Sequence, residues 1–230
     1  MRIDGLQKLT LLDFPGHTAC TVFTGGCNFR CPFCHNASLV LHPDELPVLP
    51  EAELFRFLET RRGLLDGVAI TGGEPTLQPD LPEFMEKVRE LGYAVKLDTN
   101  GARPAVLREI LNRGLADYVA MDIKSSREHY EQAAGVSGIL DAVLESIDLL
   151  RFSGTAYEFR TTAVKNLHTE ADFRAIGEWL RGTERYFIQS YTDSGDILAA
   201  GMEAFSNAEL HGLLDIVKPF LPAAELRGVD

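Results

Sequence analysis

The sequence predicts an α/β protein built on parallel strands, and three observations carry that expectation. Six short apolar runs alternate with amphipathic segments along almost the whole chain. Chemically loaded residues stand at the ends of those runs. The 230 residues are also enough to bury a full core.

The first strand, residues 20–24, opens onto a Gly-flanked loop. A Pro-rich connection at 42–50 leads to a helix over 51–62. The second strand, 68–71, stops at a Gly-Gly pair. Over 81–91, Leu81, Phe84, Met85, Val88 and Leu91 repeat at i, i+3 and i+4, the stripe of a helix laid on a sheet. Pro82 near its start and Gly92 past its end punctuate it. A third strand at 94–98 and a helix at 104–113 follow, then a fourth strand at 118–123. Helical segments at 125–134 and 140–152 precede the fifth strand, 156–164. A helix at 171–181, a sixth strand at 185–189, a connection at 191–205 and a last helix at 207–217 complete the pattern. No repeat or low-complexity tract interrupts it, so the expectation is one domain, 1–230. Either an open doubly wound sheet or a barrel fits; both place ligands at the C-terminal ends of strands.

Composition narrows the partners. With 22 Lys plus Arg against 34 Asp plus Glu, the net charge is −12, which argues against broad, sequence-independent binding to nucleic acid. No stretch approaches the roughly 18 apolar residues of a membrane span. The N-terminus carries Asp4 and Asp13 and lacks the apolar core of a signal peptide, so a cytoplasmic location is expected. Disulfides are uncommon there, and the four cysteines need another explanation.

Three of them form C-x3-C-x2-C in TGGCNFRCPFCHN, directly after the first strand: Cys27, Cys31 and Cys34. Thiolates this close on a Gly-flanked loop can wrap a metal centre. A structural zinc normally takes four ligands, whereas three thiolates on a four-iron cluster leave one iron open for a small molecule. His35 or Cys20 could complete a zinc site, although adjacent residues such as Cys34 and His35 seldom reach one ion, and Cys20 falls inside the strand.

The other strand ends are also loaded. The second reads Thr71-Gly72-Gly73-Glu74-Pro75, where paired glycines let a ligand approach the backbone and a carboxylate suits an ammonium. The third ends in Asp98-Thr99-Asn100-Gly101 and the fourth in Met121-Asp122-Ile123-Lys124. Helix capping is the plain alternative for each Asp. The fifth strand aligns Glu158, Arg160 and Thr162 on one face, which fits either a polar cavity or a solvated surface. Gln189 closes the sixth.

Taken together, these residues resemble a radical S-adenosylmethionine (radical SAM) enzyme: Cys27-x3-Cys31-x-Phe33-Cys34 matches the cluster motif, and Gly72-Gly73-Glu74 the motif that holds the methionine amino group. LLDFPG, GLLDGVAITGGEPTLQ, VKLDTNG and DYVAMDIK extend the likeness to glycyl radical enzyme activases, especially those of anaerobic ribonucleoside-triphosphate reductase. The resemblance implies a partial (β/α)6 barrel of TIM type with the cluster loop after the first strand. It implies that Cys27, Cys31 and Cys34 ligate a [4Fe–4S] cluster whose open iron is chelated by S-adenosylmethionine. One electron then cleaves the sulfonium bond to C5′, and the 5′-deoxyadenosyl radical abstracts a substrate hydrogen.

By the same resemblance Phe33 packs near the adenine, and Asp122 with Lys124 contacts the ribose region. Asp98, Thr99, the Ala120 carbonyl and Asp122 enclose Na⁺ or K⁺, which neutralises carboxylates that otherwise repel. Arg160 reaches the methionine carboxylate or the substrate side, and Gln189 the adenine side. The implied partner is a glycyl radical enzyme. No cysteine follows Cys34, so one cluster is expected, with flavodoxin or ferredoxin as the outside electron donor. Two alternatives remain: a small-molecule radical enzyme of the 7-carboxy-7-deazaguanine synthase kind, and a non-catalytic zinc or iron–sulfur module.

Overall fold

The computed structural model describes residues 1–229; Asp230, the end of the expected domain, lies outside the described residues. The first half of the chain forms β1 (Gly5–Thr10), β2 (Ala19–Thr24), α1 (Ala37–Leu41), α2 (Glu51–Thr60), β3 (Gly67–Gly72), α3 (Leu81–Glu90), β4 (Ala94–Thr99), α4 (Pro104–Asn112) and β5 (Tyr118–Asp122). The second half forms α5 (Tyr130–Ala134), α6 (Leu140–Phe152), β6 (Ala156–Ala163), α7 (Glu170–Trp179), β7 (Tyr186–Ser190), α8 (Asn207–Val217) and β8 (Glu225–Arg227). The strand order is the chain order. β2–β3, β3–β4, β6–β7 and β7–β8 are parallel, whereas β1 is antiparallel to β2. The chain thus has the expected α/β fold with a mostly parallel sheet.

Each of the six expected strands is present within two residues of its sequence bounds. β1, β8 and α1 lie outside the expected elements. The expected helix over 125–134 is helical only from Tyr130. The Ser126 hydroxyl donates to Asp172 at 2.5 Å and accepts from the His129 N–H, a cap contact on the turn that leads into α5.

The described chain falls into two compact units interleaved in sequence. The first comprises Met1–Asn28, Ser38–Ala120 and Ala142–Ala156; the second comprises Phe29–Ala37, Met121–Asp141 and the described residues 157–229. In the first unit, Val22, Val68, Ile70, Val95 and Leu97 are fully buried strand residues. Leu54 and Leu58 of α2, Phe84 and Met85 of α3, and Ile110 of α4 are buried as well. These helices are shorter than the ~12–15 residues that stand alone in water. Burial of their apolar stripes, about 1.5–3 kcal/mol per large side chain, is what holds them. In the second unit α7 and α8 each begin with a capping box, Thr169 with Asp172 and Ser206 with Glu209. Phe159, Phe173, Ile176, Ile188, Leu210 and Val217 are among its buried apolar residues on β6, α7, β7 and α8.

Candidate active site

Cys27 belongs to the first unit, and Cys31 and Cys34 to the second. In the first unit, the turn after β2 is fastened from several directions. The Gly25 N–H donates to Asp4 at 2.6 Å, the Gly26 N–H to the Leu39 carbonyl at 2.8 Å, and Gln78 Nε2 to the Gly25 carbonyl at 3.1 Å. The turn after β3 docks on it: the Gly73 N–H reaches the Thr24 carbonyl and the Glu74 N–H the Gly26 carbonyl, both at 2.8 Å. Gly72 sits at φ 117°, and a Cβ on Gly72 or Gly73 would collide with the Thr24 or Gly26 backbone. These glycines admit the neighbouring backbone.

Glu74 follows directly and is enclosed by the protein. Its side chain is 1% exposed. The carboxylate accepts from the Thr76 N–H at 3.1 Å, the Thr76 hydroxyl, the Thr99 hydroxyl at 2.8 Å and the Asn100 N–H at 2.7 Å. Burial pushes its carboxyl above the usual range, while these donors oppose the shift. Its contacts order the ends of β3 and β4.

Asn100, which motif reasoning passed over, is only 4% exposed. Its Nδ2 donates to Asn28 Oδ1 at 2.9 Å and lies 3.8 Å from Cys27 Sγ. Asp98 pairs with the buried Lys96 ammonium. Thr99 is engaged by Glu74 and by the Gly101 N–H at 3.1 Å, and Ala120 is buried on β5.

In the second unit, the cysteine segment is seated on the end of α5. The Arg30 N–H donates to the Ala134 carbonyl at 2.8 Å, and Cys31 Sγ lies 3.7 Å from the same oxygen. Gly135 ends α5 at φ 67°, where a Cβ would strike the Arg30 carbonyl. The Cys34 N–H closes a turn onto the Cys31 carbonyl at 3.0 Å. The 191–205 segment then braces it: the Leu198 N–H donates to the Cys34 carbonyl at 3.1 Å, and the Ala199 N–H to the Pro32 carbonyl at 2.9 Å. Sequence reading gave that segment no role beyond connection.

Asp122 is the electrostatic centre of this unit's polar cluster. Arg160 Nε contacts one of its oxygens at 2.5 Å and Lys124 Nζ the other at 2.9 Å. Burial alone would raise the Asp122 pKa, but Arg160 and Lys124 outweigh it and hold the carboxyl well below the usual range. Burial also works against the Lys124 ammonium, and Asp122 outweighs it, so Lys124 stays protonated. Each carboxylate of the expected alkali-ion site thus has a protein cation beside it: Lys96 for Asp98, Lys124 and Arg160 for Asp122.

Phe33 is 4% exposed, with Lys124 Nζ 5.9 Å from its ring centroid and the His168 ring edge-on at 6.3 Å. His168, also missed from sequence, accepts from the Val164 N–H at 3.0 Å and donates to the Lys124 carbonyl at 2.7 Å. Lost hydration keeps its pKa down, so it is the neutral tautomer that links the two. On β6, Glu158 is fully buried and grips Arg227 of β8 through two contacts, at 2.5 and 2.7 Å. Gln189 is half-buried beside Arg227 in the β7–β8 register.

The donor chemistry fits an iron–sulfur cluster. Burial pushes the Cys31 thiol up to about 11, but Lys124 pulls the other way and favours the thiolate that iron would bind. A side-chain amide aimed at Cys27 Sγ likewise suits a thiolate. Cys20 is fully buried, and burial pushes its thiol up to about 12, consistent with a core residue. Among the described residues no three His, Cys, Asp or Glu side chains gather closely enough for a single metal ion, as a structural zinc requires.

The Radical SAM superfamily profile matches residues 21–180, which include all three cysteines and the ends of β3, β4 and β5. The chain belongs to the radical SAM superfamily. Across 236 aligned residues it is 30% identical to a protein of Methanocaldococcus jannaschii named, provisionally, as a glycyl-radical enzyme activating enzyme; 99% of this chain and 96% of that one are covered. It is 35% identical over 200 residues to the 7-carboxy-7-deazaguanine synthase of Methanopyrus kandleri, covering 79% of this chain and 76% of that one. A domain of the pyruvate-formate lyase-activating enzyme from Bacteroides vulgatus superimposes with a TM-score of 0.58 at 20% identity, covering 70% of this radical SAM chain and 99% of that domain. Radical SAM membership implies a [4Fe–4S] cluster and S-adenosylmethionine. Among the described residues no helix is long and apolar enough to cross a membrane.

Proposed function

We propose that this radical SAM protein is an activase that installs a glycyl radical on a partner enzyme, with anaerobic ribonucleoside-triphosphate reductase the foremost candidate. The observation that carries the reading is the end-to-end match to a glycyl-radical enzyme activating enzyme, 30% identical over 99% of the chain. Cys27, Cys31 and Cys34 hold the cluster, which supplies one electron to split S-adenosylmethionine into methionine and a radical able to take a glycine Cα hydrogen. Lys124, kept protonated by Asp122, offers a fixed cation to the ligand's polar groups, and Arg160 holds Asp122 in register. Phe33, fixed by His168 and Lys124, offers an apolar face for the adenine. Gln189, the penultimate residue of β7, is a further adenine-side contact. The electron comes from flavodoxin or ferredoxin, and the protein works in the cytoplasm.

One observation favours a second reading. The 35% identity to a 7-carboxy-7-deazaguanine synthase supports a radical SAM enzyme acting on a small molecule. Deuterium transfer separates the two. A candidate partner with deuterated glycine is incubated anaerobically with reduced protein and S-adenosylmethionine, and deuterium is sought in the 5′-deoxyadenosine formed. Transfer supports the activase; deuterium arriving only from a labelled small-molecule substrate sinks it.

A further inference from the structure

We infer that Asn100 is a positioning residue that sets the reduction potential of the cluster by donating an amide N–H to the sulfur of Cys27. The inference rests on the cluster reading above and goes beyond it, since no motif assigns Asn100 a role. The orientation of its amide is fixed by its neighbours. Asn100 Oδ1 accepts from the Ala102 N–H at 2.9 Å, so Nδ2 must face the other way. One of its hydrogens goes to Asn28 Oδ1 at 2.9 Å, which leaves the second for Cys27 Sγ at 3.8 Å, within reach of a hydrogen bond to sulfur. The backbone is pinned as well: the Asn100 N–H donates to Glu74 Oε2 at 2.7 Å. Glu74 therefore acts on Cys27 through Asn100, which gives this buried carboxylate a definite task.

The electrostatic consequence has one sign. The reduced cluster carries one electron more than the oxidised one, spread partly onto its thiolate sulfurs. An N–H dipole aimed at a sulfur stabilises the more negative state and raises the potential. Asn100 is 4% exposed, so water screens that dipole little.

The test compares anaerobically reconstituted wild-type, Asn100→Ala and Asn28→Ala proteins, with iron content and circular dichroism measured for each. The reduced cluster is followed by EPR at a fixed ambient potential. In Asn100→Ala the reduced-to-oxidised ratio is expected to fall by about three- to tenfold, tenfold being ~59 mV for one electron. Asn28→Ala, which removes the neighbouring amide but keeps the N–H to sulfur, is expected to retain the wild-type ratio. An unchanged or increased ratio in Asn100→Ala overturns the inference, as does an equal fall in Asn28→Ala. If Asn100→Ala does not fold, pulsed EPR of the wild-type protein with ¹⁵N-labelled Asn amides decides instead. A hyperfine coupling from an Asn amide supports the inference, and its absence overturns it. A wild-type protein that takes up no iron fails at the cluster reading itself, a result plainly different from a shifted or unshifted potential.

Discussion

At the residue scale, the buried Glu74 carboxylate ties Thr76, Thr99 and Asn100 into one network, and Asn100 extends it to Cys27. The sequence identified the loaded turns, but it could not reveal that one motif carboxylate is spent on four donors from Thr76, Thr99 and Asn100. Those partners lie up to 26 positions away, and nothing in residue type alone announces them. Removing a carboxylate that satisfies buried donors leaves them unpaired, so Glu74→Ala is expected to lose about 3 kcal/mol in urea unfolding. A loss under ~0.5 kcal/mol would contradict the buried network. The cysteines divide differently. Replacing Cys27, Cys31 or Cys34 by Ala is expected to abolish iron uptake on anaerobic reconstitution, whereas Cys20→Ala retains it; an iron-replete Cys31→Ala protein would refute the assignment. Asp122→Asn removes the counter-charge of Lys124 and Arg160, and at least a tenfold weaker S-adenosylmethionine affinity is expected by isothermal titration. Equal affinities in wild type and variant would remove Asp122 from the ligand site.

Elements were legible in proportion to how apolar they are. β2 to β7 announce themselves because their buried residues form short hydrophobic runs. β1 does not, since Gln7, Lys8 and Leu9 are exposed on an antiparallel strand. β8 spans only three residues, and its Arg227 is justified by Glu158, 69 positions earlier. Element packing also makes a pH prediction. His129, before α5, shares Asp172 of α7 with Ser126 and Thr169, and the bond to Asp172 raises the His129 pKa. A group whose pKa is raised by folding stabilises the fold fully below its unfolded value, ~6.5 for His, and loses that contribution as pH rises through the folded value. Between about pH 5.5 and 8.5 the urea midpoint of wild type, relative to that of His129→Ala, is therefore expected to decline. A difference that stays flat or grows with pH would contradict the pairing. Urea midpoints are also expected to show Gly135→Ala destabilised, because its Cβ would displace the Arg30 carbonyl beneath the cysteine segment.

For the whole molecule, radical SAM membership is secured by a family match over residues 21–180, and the α/β class was readable from the alternation of apolar runs and amphipathic segments. The four cysteines that first spoke only against a disulfide scaffold now separate into three proposed ligands and one buried core residue. The net charge of −12 disfavours nucleic acid and leaves a protein partner open, so the partner must be sought by chemistry. The direct measurement is anaerobic EPR of a candidate glycyl radical enzyme after incubation with the reduced, cluster-loaded protein and S-adenosylmethionine. A glycyl radical doublet, dependent on both the cofactor and Cys31, is the expected result. Cleavage of S-adenosylmethionine with no doublet in any glycyl radical enzyme tested would contradict the activase assignment.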